Sequence, residues 1–253
     1  MSNKLLNISL IIFIVGLYAC SKPFDKMDIY EQSLFHSHRF SNDKDSDSYR
    51  KPYEILKFIG LKQGDRVLDL LGGGGYYTEL FDYIVGDQGK VYIQNNSLFL
   101  SFSSKDLDER LKDNRLKNVK RIDSEFADMQ LPTNVDIVFI GLSYHDIYVP
   151  RKDPVITAKR DEFFKQLTES LKPGGILVIT DHAAMPGTGN SMTGKLHRID
   201  EAWAIKDIES AGFKLVSKSD ALRNPADVYE LDIWSKKTLH KTDRFVHKYQ
   251  KLK

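Results

Sequence analysis

A hydrophobic run that contains an acid, Val67-Leu68-Asp69-Leu70-Leu71, leads into four consecutive glycines, Gly72 to Gly75, and then into Tyr76-Tyr77-Thr78-Glu79. Glycine is needed where the backbone takes positive φ or where a ligand lies against bare main chain. A strand-to-helix turn of an α/β protein faces the crevice at the carboxyl ends of the strands, where ligands bind. The spacing therefore predicts a small-molecule site at this turn. A phosphate-binding P-loop would need Gly-Lys-Ser/Thr at the helix start, and the chain has Gly75-Tyr76-Tyr77. A dinucleotide fingerprint would need a small residue at Tyr77 or Thr78, depending on which glycine starts it.

A second group of reactive residues falls after two later apolar runs: Tyr144-His145-Asp146 after the first and Asp181-His182 at the end of the second. Adjacent parallel strands would bring these two ends to one crevice mouth. His145, Asp146, Asp181 and His182 are the candidate catalytic residues there. Imidazoles and carboxylates so gathered can serve as a general base, hold a divalent metal, or brace loop backbones. All three uses stay open at this level, and no residue is assigned to a metal. His197 and Arg198 join this group from beyond Gly187-Thr188-Gly189-Asn190, a segment with the composition of a lid.

These residues need a scaffold, and the hydropathy pattern supplies one. Strand-like runs are predicted at 66–71, 90–94, 119–122, 135–140 and 175–180, with helical stretches at 77–84, around 107–116 and at 160–171. A helix precedes the first strand, on Tyr53, Ile55, Leu56, Ile59 and Leu61. The tail adds a helix at 202–211 and two strands, 214–218 and 228–234, as an antiparallel hairpin at a sheet edge. The expected fold is α/β: a doubly wound, mostly parallel seven-stranded sheet. The expected divisions are a signal over 1–19, an N-terminal segment and tether over 20–48, the domain over 49–235, and a basic tail over 236–253 that is read as a solvated helix.

An acid ahead of the glycines is the arrangement of S-adenosylmethionine sites, and across roughly residues 50–235 the chain resembles a class I S-adenosylmethionine-dependent methyltransferase. The matching pieces are Asp69 through Glu79, Gly89-Lys90-Val91-Tyr92, Asp128-Met129-Gln130-Leu131-Pro132, Tyr144-His145-Asp146, Leu171-Lys172-Pro173-Gly174-Gly175, Asp181-His182 and His197-Arg198-Ile199-Asp200. The closer likeness is to a bacterial branch of methyltransferases with a glycine-rich loop followed by Tyr-Thr-Glu. The resemblance implies that Asp69, Gly73 and Gly75 line the methionine end of the cofactor and that Asp128 and Met129 sit beside its adenine. It also places Asn95 where the family offers an acid to the ribose, and Leu71 where the loop usually has its first glycine. An amide oxygen accepts a hydrogen bond but lacks the charge of a carboxylate.

Composition sets outer bounds. The 253 residues are 41% hydrophobic and 28% charged, with 37 basic against 35 acidic side chains, which suits one packed domain. That balance supplies no broad cationic surface for nucleic acid. The single cysteine excludes a disulfide framework within the chain. Lys4, the apolar run from Ile8 to Gly16, and Leu17-Tyr18-Ala19-Cys20 read as a secretory signal ending in a lipobox, so that a lipidated Cys20 ties the domain to a membrane in the cell envelope. The function expected is transfer of a methyl group to a small acceptor; the alternative is a non-catalytic ligand-binding lipoprotein on the same fold.

Overall fold

Period-two patterning puts alternate residues of each strand on opposite faces of one sheet. Val67, Val91, Ile137, Phe139, Val178 and Val246 are buried on one face, and Leu68, Leu70, Val138, Ile140, Leu177 and Phe245 on the other. The chain is described over residues 22–252 by a computed structural model; the expected signal and Cys20 lie outside the described residues. The strands are β1 (Arg66–Leu70), β2 (Lys90–Asn95), β3 (Val119–Asp123), β4 (Val135–Gly141), β5 (Leu171–His182), β6 (Phe213–Ser219) and β7 (Arg244–Lys251). They are ordered β3-β2-β1-β4-β5-β7-β6, with β7 antiparallel to both neighbours and the other pairings parallel.

The helices are α1 (Ile29–Phe35), α2 (Asp47–Arg50), α3 (Pro52–Ile59), α4 (Tyr76–Val85), α5 (Ser97–Leu111), α6 (Arg160–Ser170), α7 (Thr193–Leu196) and α8 (Glu201–Ser210). α3 and α4 cover one face through Ile55, Leu56, Leu80, Phe81 and Ile84. α6 and α8 cover the other through Phe163, Phe164, Leu167 and Ile208. Each such fully buried side chain contributes about 1.5–3 kcal/mol. The expected doubly wound sheet is therefore present. Strand order reverses between β1 and β4, and the crevice opens at their carboxyl ends.

Three expectations are corrected. Residues 228–234 form no strand: Tyr229 has φ 61, and the amides of Tyr229 and Trp234 bond the carboxylates of Asp227 and Asp232 at 3.1 and 2.7 Å. The final strand is instead β7, inside the stretch read as a solvated helical tail. Its lysines and arginine disguise an apolar alternation, Phe245-His247-Tyr249, all fully buried. Lys251 Nζ, one of those tail charges, bonds the Leu171 carbonyl at 2.7 Å.

The third correction concerns the tether. Residues 41–46 form a 3-10 helix that leads into α2 and packs on the glycine turn. Arg110 of α5 is 3% exposed and pairs with Asp43 at 2.8 and 2.9 Å, with Glu79 of α4, and with the Gly74 carbonyl. Burial would raise the Glu79 carboxyl, but Arg115 and Arg110 together hold it below its ordinary range. An ion cluster buried this deeply is retained only when all its members are paired, so Asp43 is fixed against the site.

Candidate active site

Asp69 lies next to the end of β1, opposite Ile93 of β2 and Phe139 of β4. It is buried, and Thr78 Oγ1 donates to its Oδ2 at 2.6 Å. Burial pushes its carboxyl up to about 6, against the downward pull of the Thr78 hydroxyl. The turn around it is tight: a Cβ on Gly72 would stand 2.8 Å from the Asp69 carboxyl carbon. Gly73 has φ +57, and a Cβ there would meet nothing within 4 Å. Leu71 also takes positive φ, 55, with its side chain buried. That conformation costs an L-residue about 1–2 kcal/mol, which burial of the leucine offsets.

A cavity of about 440 Å³ opens on this turn, bordered by Asp69, Gly72, Gly73, Phe99, Phe139 and Gly141. It falls within the size range of small-molecule sites. The bare backbone of Gly73 and the buried acid leave room for a small molecule against the turn.

Four residues expected at the cofactor have other surroundings. Gly75 is turned from the cavity: with φ +83, its Cβ would meet Arg110 Cδ at 2.9 Å. Asn95 is fully buried and spent on the loop, its Oδ1 accepting from Gly73 N at 2.8 Å and its Nδ2 donating to Gly73 O at 3.0 Å. It therefore holds the glycine turn in place of a ribose. Met129 is a core side chain whose amide bonds Gln166 Oε1 at 2.6 Å. Asp128 is exposed and borders a separate recess with Ser97, Asp123 and Glu125. These four positions follow the family's spacing, but Gly75 and Met129 meet partners on α5 and α6, and Asn95 meets the turn itself, none of which the motif specifies.

The expected gathering at the ends of β4 and β5 is present in part. His145 opens a 3-10 helix, Tyr144–Tyr148, directly after β4. Its Nδ1 lies 2.8 Å from Asp181 Oδ1, and its backbone N donates to Asp181 Oδ2 at 2.6 Å. A carboxylate only accepts, so Nδ1 carries the hydrogen and Nε2 is the free position. Burial alone would lower the His145 pKa, but the Asp181 charge outweighs it and lifts the imidazole above its ordinary value. His182 bonds Thr242 Oγ1 at 2.7 Å, and burial together with the charge of His145 keeps it well below the ordinary range, hence neutral. Asp146 Oδ2 is 3.7 Å from His145 Nε2, while its Oδ1 accepts from Arg151 at 2.9 Å.

A second cavity, of about 370 Å³, is bordered by His145, Asp146, His182 and His197. It shares Arg50, Phe99, Phe102 and Gly141 with the first. Ligand atoms of His145, Asp146 and His197 lie within 4.8 Å of one another and are the described residues best placed to hold a metal. Two neighbours do not join them. Tyr144 is fully buried, its hydroxyl held by Asp207, and Arg198 is spent on Asp227 at 2.7 Å and the carbonyls of Ala183 and Leu231. The expected lid is fastened as well: Gly187 N bonds Asp200 Oδ2 at 2.6 Å, and Gly189 packs on Trp203.

Sequence reasoning missed Tyr49, Arg50, Trp234, His240 and Arg244, which complete the second cavity. Tyr49 and Arg50 come from the residues just after the presumed tether, Trp234 from the presumed edge strand, and His240 and Arg244 from the presumed tail. Only the alternation Phe245-His247-Tyr249 signalled that Arg244 starts a strand.

Comparison with known proteins agrees with the fold and the loop. The model of the family described as protein-L-isoaspartate(D-aspartate) O-methyltransferase (PCMT) matches residues 50–182. The ubiquinone/menaquinone biosynthesis C-methyltransferase UbiE of Azotobacter vinelandii is 23% identical over 175 residues, 68% of this chain and 61% of that protein. The chain thus spans about three fifths of the length of that relative. A S-adenosylmethionine-dependent methyltransferase structure from Aquifex aeolicus has the same fold, with a TM-score of 0.58 at 22% identity over 90% of this chain and all of that one. Fibrillarin from Aeropyrum pernix, solved with natively bound S-adenosyl-L-methionine, has a TM-score of 0.50 at 17% identity over 80% of this chain and 76% of that one. The family match covers more than half of the sequence and includes β1, the glycine turn, β4 and β5, so the chain belongs to the class I S-adenosylmethionine-dependent methyltransferases, in the family that the PCMT model describes.

Proposed function

We propose that the protein is an S-adenosylmethionine-dependent methyltransferase acting on a small acceptor. The observation that carries this is the meeting of the two cavities at Phe99, Phe102 and Gly141. One is floored by Asp69 and the glycine turn; the other holds His145. When bound, S-adenosylmethionine supplies an electrophilic methyl group. Asp69, at the first cavity, offers a carboxylate to the cationic amino-acid end of the cofactor. His145 Nε2 takes the proton that the acceptor loses, and Asp181 stabilises the imidazolium that forms, which is the general-base arrangement. Asp146, 3.7 Å from Nε2, adds negative charge on the same side.

The N-terminal pattern supports an envelope lipoprotein anchored through Cys20, and the activity is proposed for the domain that follows it. Calorimetric titration with S-adenosylmethionine and S-adenosylhomocysteine tests the cofactor half. Both are expected to bind the parent, and Asp69→Asn is expected to weaken binding at least tenfold. Burial pushes the Asp69 carboxyl up to about 6, so affinity for the ligand's ammonium group falls as pH drops from 7 through 6, whereas Asp69→Asn loses that dependence. No binding of either compound would leave the alternative, a ligand-binding lipoprotein.

A further inference from the structure

The cavity around His145 holds more positive charge than its own acids balance. Arg50, Arg151 and Arg244 border it, together with the one carboxylate Asp146, which Arg151 already engages at 2.9 Å. Arg244 is 6% exposed. Its Nη2 donates to the Tyr49 carbonyl at 2.8 Å, its Nε has no partner, and among the described residues it has no ion pair. Asp243, its chain neighbour, is turned to Arg223, Asn224 and Tyr229 at 3.2, 2.8 and 3.1 Å. Arg50 lies over the Tyr76 ring, 4.5 Å from its centre, with its Nε also unpartnered. Burial, with Arg50 nearby, lowers the Arg244 pKa.

A buried guanidinium without a counter-ion is strongly unfavourable, and an anionic ligand would complete it. The remaining wall is flat and apolar: Tyr49 stacks on His240 with centroids 3.8 Å apart, and Phe102 and Trp234 stand exposed at the rim. Arg50 borders both cavities, whereas Arg244 borders only this one, which separates it from the cofactor's own carboxylate. The same three guanidiniums oppose a dication on His145, Asp146 and His197.

We propose that the methyl acceptor is an anion, a carboxylate or phosphate on a flat apolar body, with its charge received by Arg244 and its body held between the aromatic walls. This rests on the reading of the His145 cavity as the acceptor's. The test is calorimetry on the protein loaded with S-adenosylhomocysteine, titrated with benzoate, phenyl phosphate and neutral benzamide. At least one anion is expected to bind tenfold or more tightly than benzamide, and the stronger of the two identifies the group. Arg244→Gln is expected to abolish that preference with S-adenosylhomocysteine affinity within twofold of the parent. Arg244→Lys, which keeps the charge, is expected to retain part of the preference and guards against a variant that merely misfolds. Equal binding of benzamide, no binding of any of the three, or an undiminished preference in Arg244→Gln overturns the proposal. So does a loss of S-adenosylhomocysteine binding in that variant, which would give Arg244 to the cofactor. If S-adenosylhomocysteine fails to bind the parent, the cofactor reading and the acceptor role fall together, and the same anion titration on unloaded protein decides whether Arg244 still receives an anion.

Discussion

Asn95 grips the Gly73 peptide from both sides, accepting from its N–H at 2.8 Å and donating to its carbonyl at 3.0 Å. The end of β2 is thereby tied to the glycine turn after β1. The family's spacing would have this side chain face a ribose, and on that basis Asn95→Asp would improve cofactor binding. The clamp reverses the expectation. A carboxylate cannot donate, and it would oppose the Gly73 carbonyl in a buried site, at a cost of about 2 kcal/mol. Asn95→Asp is expected to lower the Tm by several degrees and to weaken S-adenosylhomocysteine binding. Differential scanning calorimetry and titration check this, and tighter binding would return Asn95 to the ligand.

Neighbouring glycines in the same turn are expected to fail in different ways. At Gly72 an added Cβ meets the Asp69 carboxyl at 2.8 Å and an Ile93 methyl at 3.0 Å, so Gly72→Ala loses stability first. At Gly73 the space beyond is open. Gly73→Val therefore keeps the fold, less about 1–3 kcal/mol of strain at positive φ, and loses ligand binding because the side chain stands where the ligand would. Melting curves beside binding isotherms separate the two, and a Gly73→Val protein that binds like the parent would make the turn purely structural.

For His145 the expected outcome is a fall in turnover of about 10²-fold or more in His145→Ala, with cofactor affinity barely changed. Asp181 still accepts from the His145 and His182 amides at 2.6 and 2.7 Å, so the variant remains folded. The base acts when neutral, and its pKa is lifted by Asp181, so the acidic limb of kcat lies above the ordinary imidazole value. Asp181→Asn removes the lifting charge and moves that limb to lower pH. The raised pKa also stabilises the fold fully below the unfolded imidazole value, and this contribution is lost as pH rises through the folded one. A kcat profile unmoved by Asp181→Asn would detach the pair from the chemistry.

Cys20 is expected to be acylated and to form the mature N-terminus, with residues 1–19 removed. Mass spectrometry of the protein extracted from its native membrane checks this; an intact Met1 with a free thiol would end the lipoprotein reading.

The sequence by itself determined the five parallel strands and the glycine turn, because both are local: short apolar runs bounded by turns specify strands buried on both faces, and a run of glycines permits backbone that other residues resist. It also determined that His145 and Asp181 would approach each other, since strand order follows from alternating strands and helices. Only the tertiary structure decided what shares the crevice. Asn95 turns back to Gly73, and Gly75 packs on Arg110 because α5 lies over that part of the loop. Asp43 comes to the site from a polar stretch that reads as a tether, because Arg110 pairs with it, and Arg50 follows on the helix that this stretch leads into. Arg244 reaches the second cavity because β7 inserts between β5 and β6. These are contacts between residues tens to hundreds of positions apart, and long-range pairing of charges leaves no period in the chain to be read.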